Sequence, residues 1–140
     1  MQSKQLNKNS WILRFERKEL FIKELNNFCV KHKITGGVFL GIGAVDYAKL
    51  AHYSVKSKKY TTKVFEQPLE VSNLSGTIGK EKDIIIHCHA TLSKDDMTTI
   101  AGHLVEARVS ATLELYLIKT AELKKSHDQE TGLTLFNFKE

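Results

Sequence analysis

The chain contains six histidines, and three of them are spaced to act together. His87 and His89 flank Cys88 inside an apolar run that reads as a strand. Side chains on a strand alternate between faces, so these two imidazoles project the same way. Cys88 projects the other way with Ile84 and Ile86, which makes it a core residue rather than a ligand. His103 follows a segment that reads as a short helix, and a turn plus one helix can carry it back over the strand. Three neutral imidazoles with an open coordination position suit zinc, and imidazole also suits iron, nickel and copper. The same spacing also fits a polar face in water, or histidines paired with carboxylates. Asp95, Asp96 and Glu114 are nearby candidate carboxylates. Glu114 stands mid-strand among apolar residues, where an unpaired charge is costly. A buried polar role, accepting a hydrogen bond from a ligand histidine, is therefore expected over the alternative that it simply faces solvent, with Asp96 as the other supporting carboxylate. His32, His52 and His127 sit in polar or mixed surroundings and read as surface residues.

Other chemistries find no motif. The sequence has no Ser-His-Asp order, no phosphate-cradling glycine loop and no zinc-finger cysteine pairs. Gly41-Ile42-Gly43 is not a dinucleotide fingerprint, because Asp46 occupies the third glycine position. Small residues there instead allow another backbone or subunit to approach closely. The only route to an enzyme is a metal-bound hydroxide at the three histidines, with Glu114 or Asp96 as general base, for hydrolysis or a lyase reaction of unknown substrate.

The elements that must position these residues are mostly strands. Trp11, Leu13 and Phe15 alternate with Ile12, Arg14 and Glu16, which predicts a half-buried strand. Phe21, Leu25, Phe28 and Cys29 then recur at helical spacing and predict an amphipathic helix over 18–32. From residue 37 the period returns to two, with Val38, Leu40, Ile42 and Ala44 on one face and Phe39, Gly41 and Gly43 on the other. Residues 60–66 and 69–74 read as strands divided at Pro68, and 83–91 reads as the histidine strand. Ser93-Lys94-Asp95-Asp96 resembles a capping box, which predicts a short helix ending at Gly102. A long strand follows over 109–118, then a loop over 126–132 and a last strand over 133–138. The expected class is α+β, a mostly antiparallel sheet of about seven or eight strands with one main and one short helix. Residues 1–9 read as an N-terminal extension and 10–140 as a single domain.

The length of 140 residues matches the usual ~100–200 residues of one domain. With 41% hydrophobic and 26% charged residues and one proline, disordered and low-complexity classes are excluded. No apolar run is long enough to cross a bilayer. The first residues carry no apolar signal core, so a cytoplasmic protein with reduced cysteines at 29 and 88 is expected. Formal net charge is +5, with lysines concentrated in the first half and acidic residues in the second. A basic half can attract DNA, but no Lys/Arg run exceeds two residues, which fits a solvated surface equally well.

Gly36-Gly37-Val38-Phe39-Leu40-Gly41-Ile42-Gly43-Ala44-Val45, Pro68-Leu69-Glu70-Val71-Ser72-Asn73-Leu74-Ser75-Gly76, His87-Cys88-His89-Ala90-Thr91-Leu92, Ala101-Gly102-His103-Leu104 and Ala111-Thr112-Leu113-Glu114 occur in one order. That order resembles the PPC domain shared by plants and prokaryotes, over about residues 10–137. The tail Asp128-Gln129-Glu130-Thr131-Gly132-Leu133 is similar to the end of bacterial members. The resemblance implies a central antiparallel sheet, assembly as a homotrimer, and a divalent metal, commonly zinc, at His87, His89 and His103. The expected function is a regulatory or ligand-binding module for an unknown small molecule, with DNA binding through the basic first half as the alternative, and no membrane partner is expected from the short apolar runs. The chain departs from the plant proteins in lacking their Arg-Gly-Arg-Pro AT-hook. Their Gly-Arg-Phe-Glu-Ile-Leu segment is matched only in part, by Gln67-Pro68-Leu69-Glu70-Val71-Ser72.

Overall fold

The structure is a computed structural model, and it describes residues 1–139. In chain order the elements are β1 (Gln2–Asn7), β2 (Ser10–Phe15), α1 (Phe21–Lys31), β3 (Gly37–Ser54), β4 (Lys59–Phe65), β5 (Leu69–Lys80), β6 (Ile84–Ser93), β7 (Thr99–Lys119), β8 (Lys125–His127) and β9 (Thr134–Phe136). Seven strands form one antiparallel sheet in the order β1-β2-β7-β6-β5-β3-β4, and β8 and β9 form a separate hairpin. The α+β class holds. β3 and β7 also pair with each other over most of their length, so β3, β5, β6 and β7 close into a ring. Residues 2–7, expected as an extension, form an edge strand on β2.

The inner surface is apolar. Trp11, Leu13 and Phe15 of β2, Phe39 and Val45 of β3, Leu74 and Ile78 of β5, and Leu113, Leu115 and Leu117 of β7 are all buried. Phe21, Leu25, Phe28 and Cys29 of α1 complete this core. Burial pushes the Cys29 thiol up to about 12, so it remains a protonated core residue.

The helix begins later than its periodicity predicts, because residues 18–20 still follow β7. Lys18 N–H donates to the Val109 carbonyl, Val109 N–H donates to the Glu19 carbonyl, and Leu20 bridges to Arg108. Leu20 offers no side-chain cap. Glu106 of β7 supplies one from across the fold, accepting the Ile22 N–H at 2.8 Å and the Lys23 N–H at 3.3 Å. A carboxylate there satisfies orphan donors and complements the positive end of the helix dipole.

The expected short helix after Ser93 does not form. Residues 94–98 are the tight turn of the β6–β7 hairpin, with Met97 at φ 65. The Asp96 carboxylate accepts from the Thr98 N–H at 2.9 Å and its hydroxyl at 2.6 Å. This local ring competes with a helical cap, and the β-branched Thr98-Thr99-Ile100 run favours a strand. Gly102 lies inside β7, not at a helix end.

Gly41 and Gly43 admit the close approach of another backbone, as expected, and it is that of β7. A Cβ on Gly43 would lie 2.2 Å from the Thr112 carbonyl oxygen, and one on Gly41 would lie 2.5 Å from that of Glu114. The Val38, Leu40 and Ile42 side chains on the opposite face point outward and are exposed.

Candidate metal centre

The hairpin that replaces the helix is what assembles the histidines. β6 alternates, burying Cys88 and Ala90 and turning His87 and His89 outward. The β6–β7 register sets His103 directly opposite His89. His87 faces Thr77 and His89 faces Ser75 on β5, while Ala51 of β3 lies opposite His103. The ring centroids are 5.3 Å apart for His87 and His89, 5.2 Å for His87 and His103, and 5.7 Å for His89 and His103. One ligand nitrogen from each ring lies within 4.8 Å of the others.

The electrostatics favour neutral rings at His87 and His103. Burial pushes His87 down to about 4, and the charges of His103, His89 and Lys125 act in the same direction. His103 is also lowered, by burial first and then by His89. Neutral imidazole is the form that ligates a metal. Among the described residues, no hydrogen bond engages any of the three rings. The donor set therefore fits a divalent ion of zinc type. Cys88 stays out of the set: it is buried, faces the Leu104 carbonyl at 3.9 Å, and is pushed up to about 12 by burial and Glu106.

A cleft of about 840 Å³ opens over the histidines. One wall is β3 and β4, where Tyr60 lies 5.8 Å from the His103 ring and 4.7 Å from Tyr53. The other wall is the β8–β9 hairpin, with Lys125, Leu133, Leu135 and Phe136. Two bonds tie the loop of that hairpin down. The Tyr53 hydroxyl donates to the Thr131 carbonyl at 2.7 Å, and Lys58 Nζ donates to the Gln129 carbonyl at 2.7 Å. The Asp128 carboxylate accepts the Thr131 N–H and hydroxyl and closes the turn.

Neither expected carboxylate joins the histidines. Asp96 is exposed and committed to Thr98, which holds its carboxyl below the usual range. Glu114 is exposed, on the far part of β7 between Arg14 and Ile42, with the Thr112 hydroxyl as its side-chain partner at 3.4 Å. The expectation that it is buried fails because the outer face of β7 is not covered at that point. His52 and His127 are exposed as expected, and His52 borders the cleft. His32 is instead half-buried, stacked on Phe28 at 4.1 Å. Sequence reasoning missed Tyr60, Lys125 and Phe136. Alternation of Leu133 and Leu135 was the available signal for the wall, and nothing set Lys125 apart from the other lysines.

The sequence profile of the Plants and Prokaryotes Conserved (PCC) domain matches residues 2–121. No match to a curated protein was found. The fold is similar to a candidate DNA-binding protein from Bacteroides thetaiotaomicron, with 28% identity, TM-score 0.94, and 98% of this chain and 96% of that one covered. It is also similar to a metal-containing protein from Archaeoglobus fulgidus, with 28% identity, TM-score 0.85, and 91% and 92% covered. A plant- and prokaryote-conserved protein from Pyrococcus horikoshii shares the fold at 22% identity, TM-score 0.85, with 99% and 95% covered.

Proposed function

This chain belongs to the Plants and Prokaryotes Conserved domain family, and from that premise we propose that it is a homotrimeric, cytoplasmic module that holds one divalent metal ion, zinc, on His87, His89 and His103 and takes a small-molecule ligand in a regulatory role. The observation that carries the metal is the convergence of three imidazole donors within 4.8 Å. The metal-containing relative from Archaeoglobus fulgidus supports it. When bound, zinc supplies a Lewis-acid position for an oxygen donor. Among the described residues no acidic side chain lines the cleft, so none of them places a carboxylate as a general base. That favours ligand binding over hydrolysis.

Support for the trimer comes from the outer face of the sheet. Register aligns Ile12, Tyr116 and Leu40 in one row and Ile118 with Val38 in the next. Leu40 is 59% and Ile42 63% exposed. A contiguous apolar patch of this kind marks an interaction surface, and His87 and His89 border it. The occupant proposed is a second copy of this chain, which brings the metal centre to a subunit boundary.

Elemental mass spectrometry of the untagged protein beside His87→Ala, with mass measured in solution, tests the reading. About one zinc per subunit, lost in the variant, is expected, together with a trimeric mass. Metal-free protein after zinc supplementation overturns the metal site, and a monomer overturns the assembly.

DNA binding is the second reading. It rests on the candidate DNA-binding relative from Bacteroides thetaiotaomicron and on the basic first half. Retardation of mixed-sequence duplex at ~50 mM salt that weakens steeply with added salt is its signature; no retardation there sinks it. Among the described residues, no helix is long and apolar enough to cross a membrane.

A further inference from the structure

Lys125 has an unusual setting for a lysine. The residue is only 6% exposed. Its stem lies over Gly79 of β5, where a Cβ would come within 2.9 Å of Lys125 Cε and 3.0 Å of Cδ. Its ammonium sits 4.3 Å from the centre of the Phe136 ring. Among the described residues it has no carboxylate within ion-pair distance and no hydrogen-bond acceptor. It borders the same cleft as the three histidines, and its charge is felt at His87. Burial holds the Lys125 ammonium below the usual lysine range, the desolvation cost of a partly covered charge. The ring face returns only part of that cost.

The rest of the lining states what the counter-ion carries. Ile85, Leu133, Leu135 and Phe136 are apolar, Tyr60 is aromatic, and among the described residues no aspartate or glutamate lines the cleft. A fixed ammonium with no acidic neighbour among the described residues favours an anion. The apolar wall favours an anion with a hydrocarbon body over a bare inorganic one. The cleft volume of about 840 Å³ lies in the range of roughly 300–1,000 Å³ typical of small-molecule sites.

We propose that this cleft binds a small organic carboxylate, with the carboxylate on the Lys125 ammonium, facing the three histidines, and its apolar body against Phe136, Leu135 and Tyr60. This names the ligand class of the proposed module and rests on that reading for the metal beside it. The contacts to Lys125 belong to the chain itself and do not require the ion.

Calorimetric titration tests it, using benzoate and 4-methylpentanoate, their uncharged amides, and inorganic phosphate. The proteins are wild type, zinc-loaded and chelator-treated, with Lys125→Met and Lys125→Arg, and metal content is measured on every sample. Wild type is expected to prefer each acid over its amide by at least about tenfold, the size of a charge-assisted hydrogen bond. Lys125→Met abolishes that preference with metal content unchanged, and Lys125→Arg restores much of it. Equal binding of acid and amide by wild type overturns the proposal, and so does undiminished acid binding by Lys125→Met. Phosphate binding as tight as the acids overturns the role of the apolar wall. If Lys125→Met fails to fold, the acid–amide contrast in wild type and the Lys125→Arg result decide. Wild type that holds no zinc but keeps the acid preference overturns the metal reading and leaves this one standing.

Discussion

His87 carries the largest perturbation among the three imidazoles, pushed down to about 4, and the sign of its effect on stability follows. In the unfolded chain its pKa is the ordinary 6.5 or so. Between about 6.5 and about 4 the unfolded state therefore binds more protons than the folded one. Metal-free protein should lose stability as pH falls through that window and show no contribution from His87 above it. Denaturant melts at several pH values, wild type against His87→Gln, should show a shallower acid slope in the variant; identical slopes would contradict the assignment. His89→Ala and His103→Ala should each strip zinc from the protein. In ~100-fold excess over its dissociation constant the metal adds about 2.7 kcal/mol to the wild type, so the melting temperatures should differ with zinc and converge with chelator. Asp96→Ala should keep full zinc content, because that carboxylate serves only its own turn. The histidine trio was legible in the sequence because a period of two puts His87 and His89 on one face whatever the register. Lys125 was not, since what distinguishes it is the absence of a partner, and partners are fixed only by the fold.

The strands were legible from alternation, and α1 from its spacing of Phe21, Leu25 and Phe28. The turn at 94–98 was not, because Ser-x-x-Asp opens a helix and an Asp-centred turn equally well, and the choice lay with the pairing of β6 and β7. Nor was the cap of α1, which Glu106 supplies from far along the chain. Glu106→Gln should destabilise the protein by about 1 kcal/mol, in line with the loss of a helix cap and its charge. Equilibrium unfolding measures it, and the zinc content should not change. Gly43→Ala tests the close approach of β3 and β7. A Cβ there meets backbone at 2.2 Å, so the strands must separate, at a cost of roughly 1–3 kcal/mol. A neutral result would mean that the two strands are not packed as described.

At the scale of the molecule, the ring closed by β3 and β7 could not be read from the sequence, because each strand pairs with different partners along its two edges. Closure leaves the row of Ile12, Tyr116 and Leu40 facing outward. If the proposed trimer forms through this row, Leu40→Glu should shift its solution mass to that of a monomer with the far-ultraviolet spectrum unchanged, as measured by light scattering; an oligomer unaffected by the change would place the assembly elsewhere. The cleft is also built from two sources. Its histidines and tyrosines come from the large sheet, within the stretch of residues 2–121 that the family profile matches. Lys125, Leu133, Leu135 and Phe136 come from the β8–β9 hairpin beyond that stretch. On the proposed reading, selectivity is thereby uncoupled from metal retention: a short graft over this hairpin should rewrite what the cleft accepts while the scaffold beneath it stays the same, so chimaeras between relatives should exchange preference as a unit.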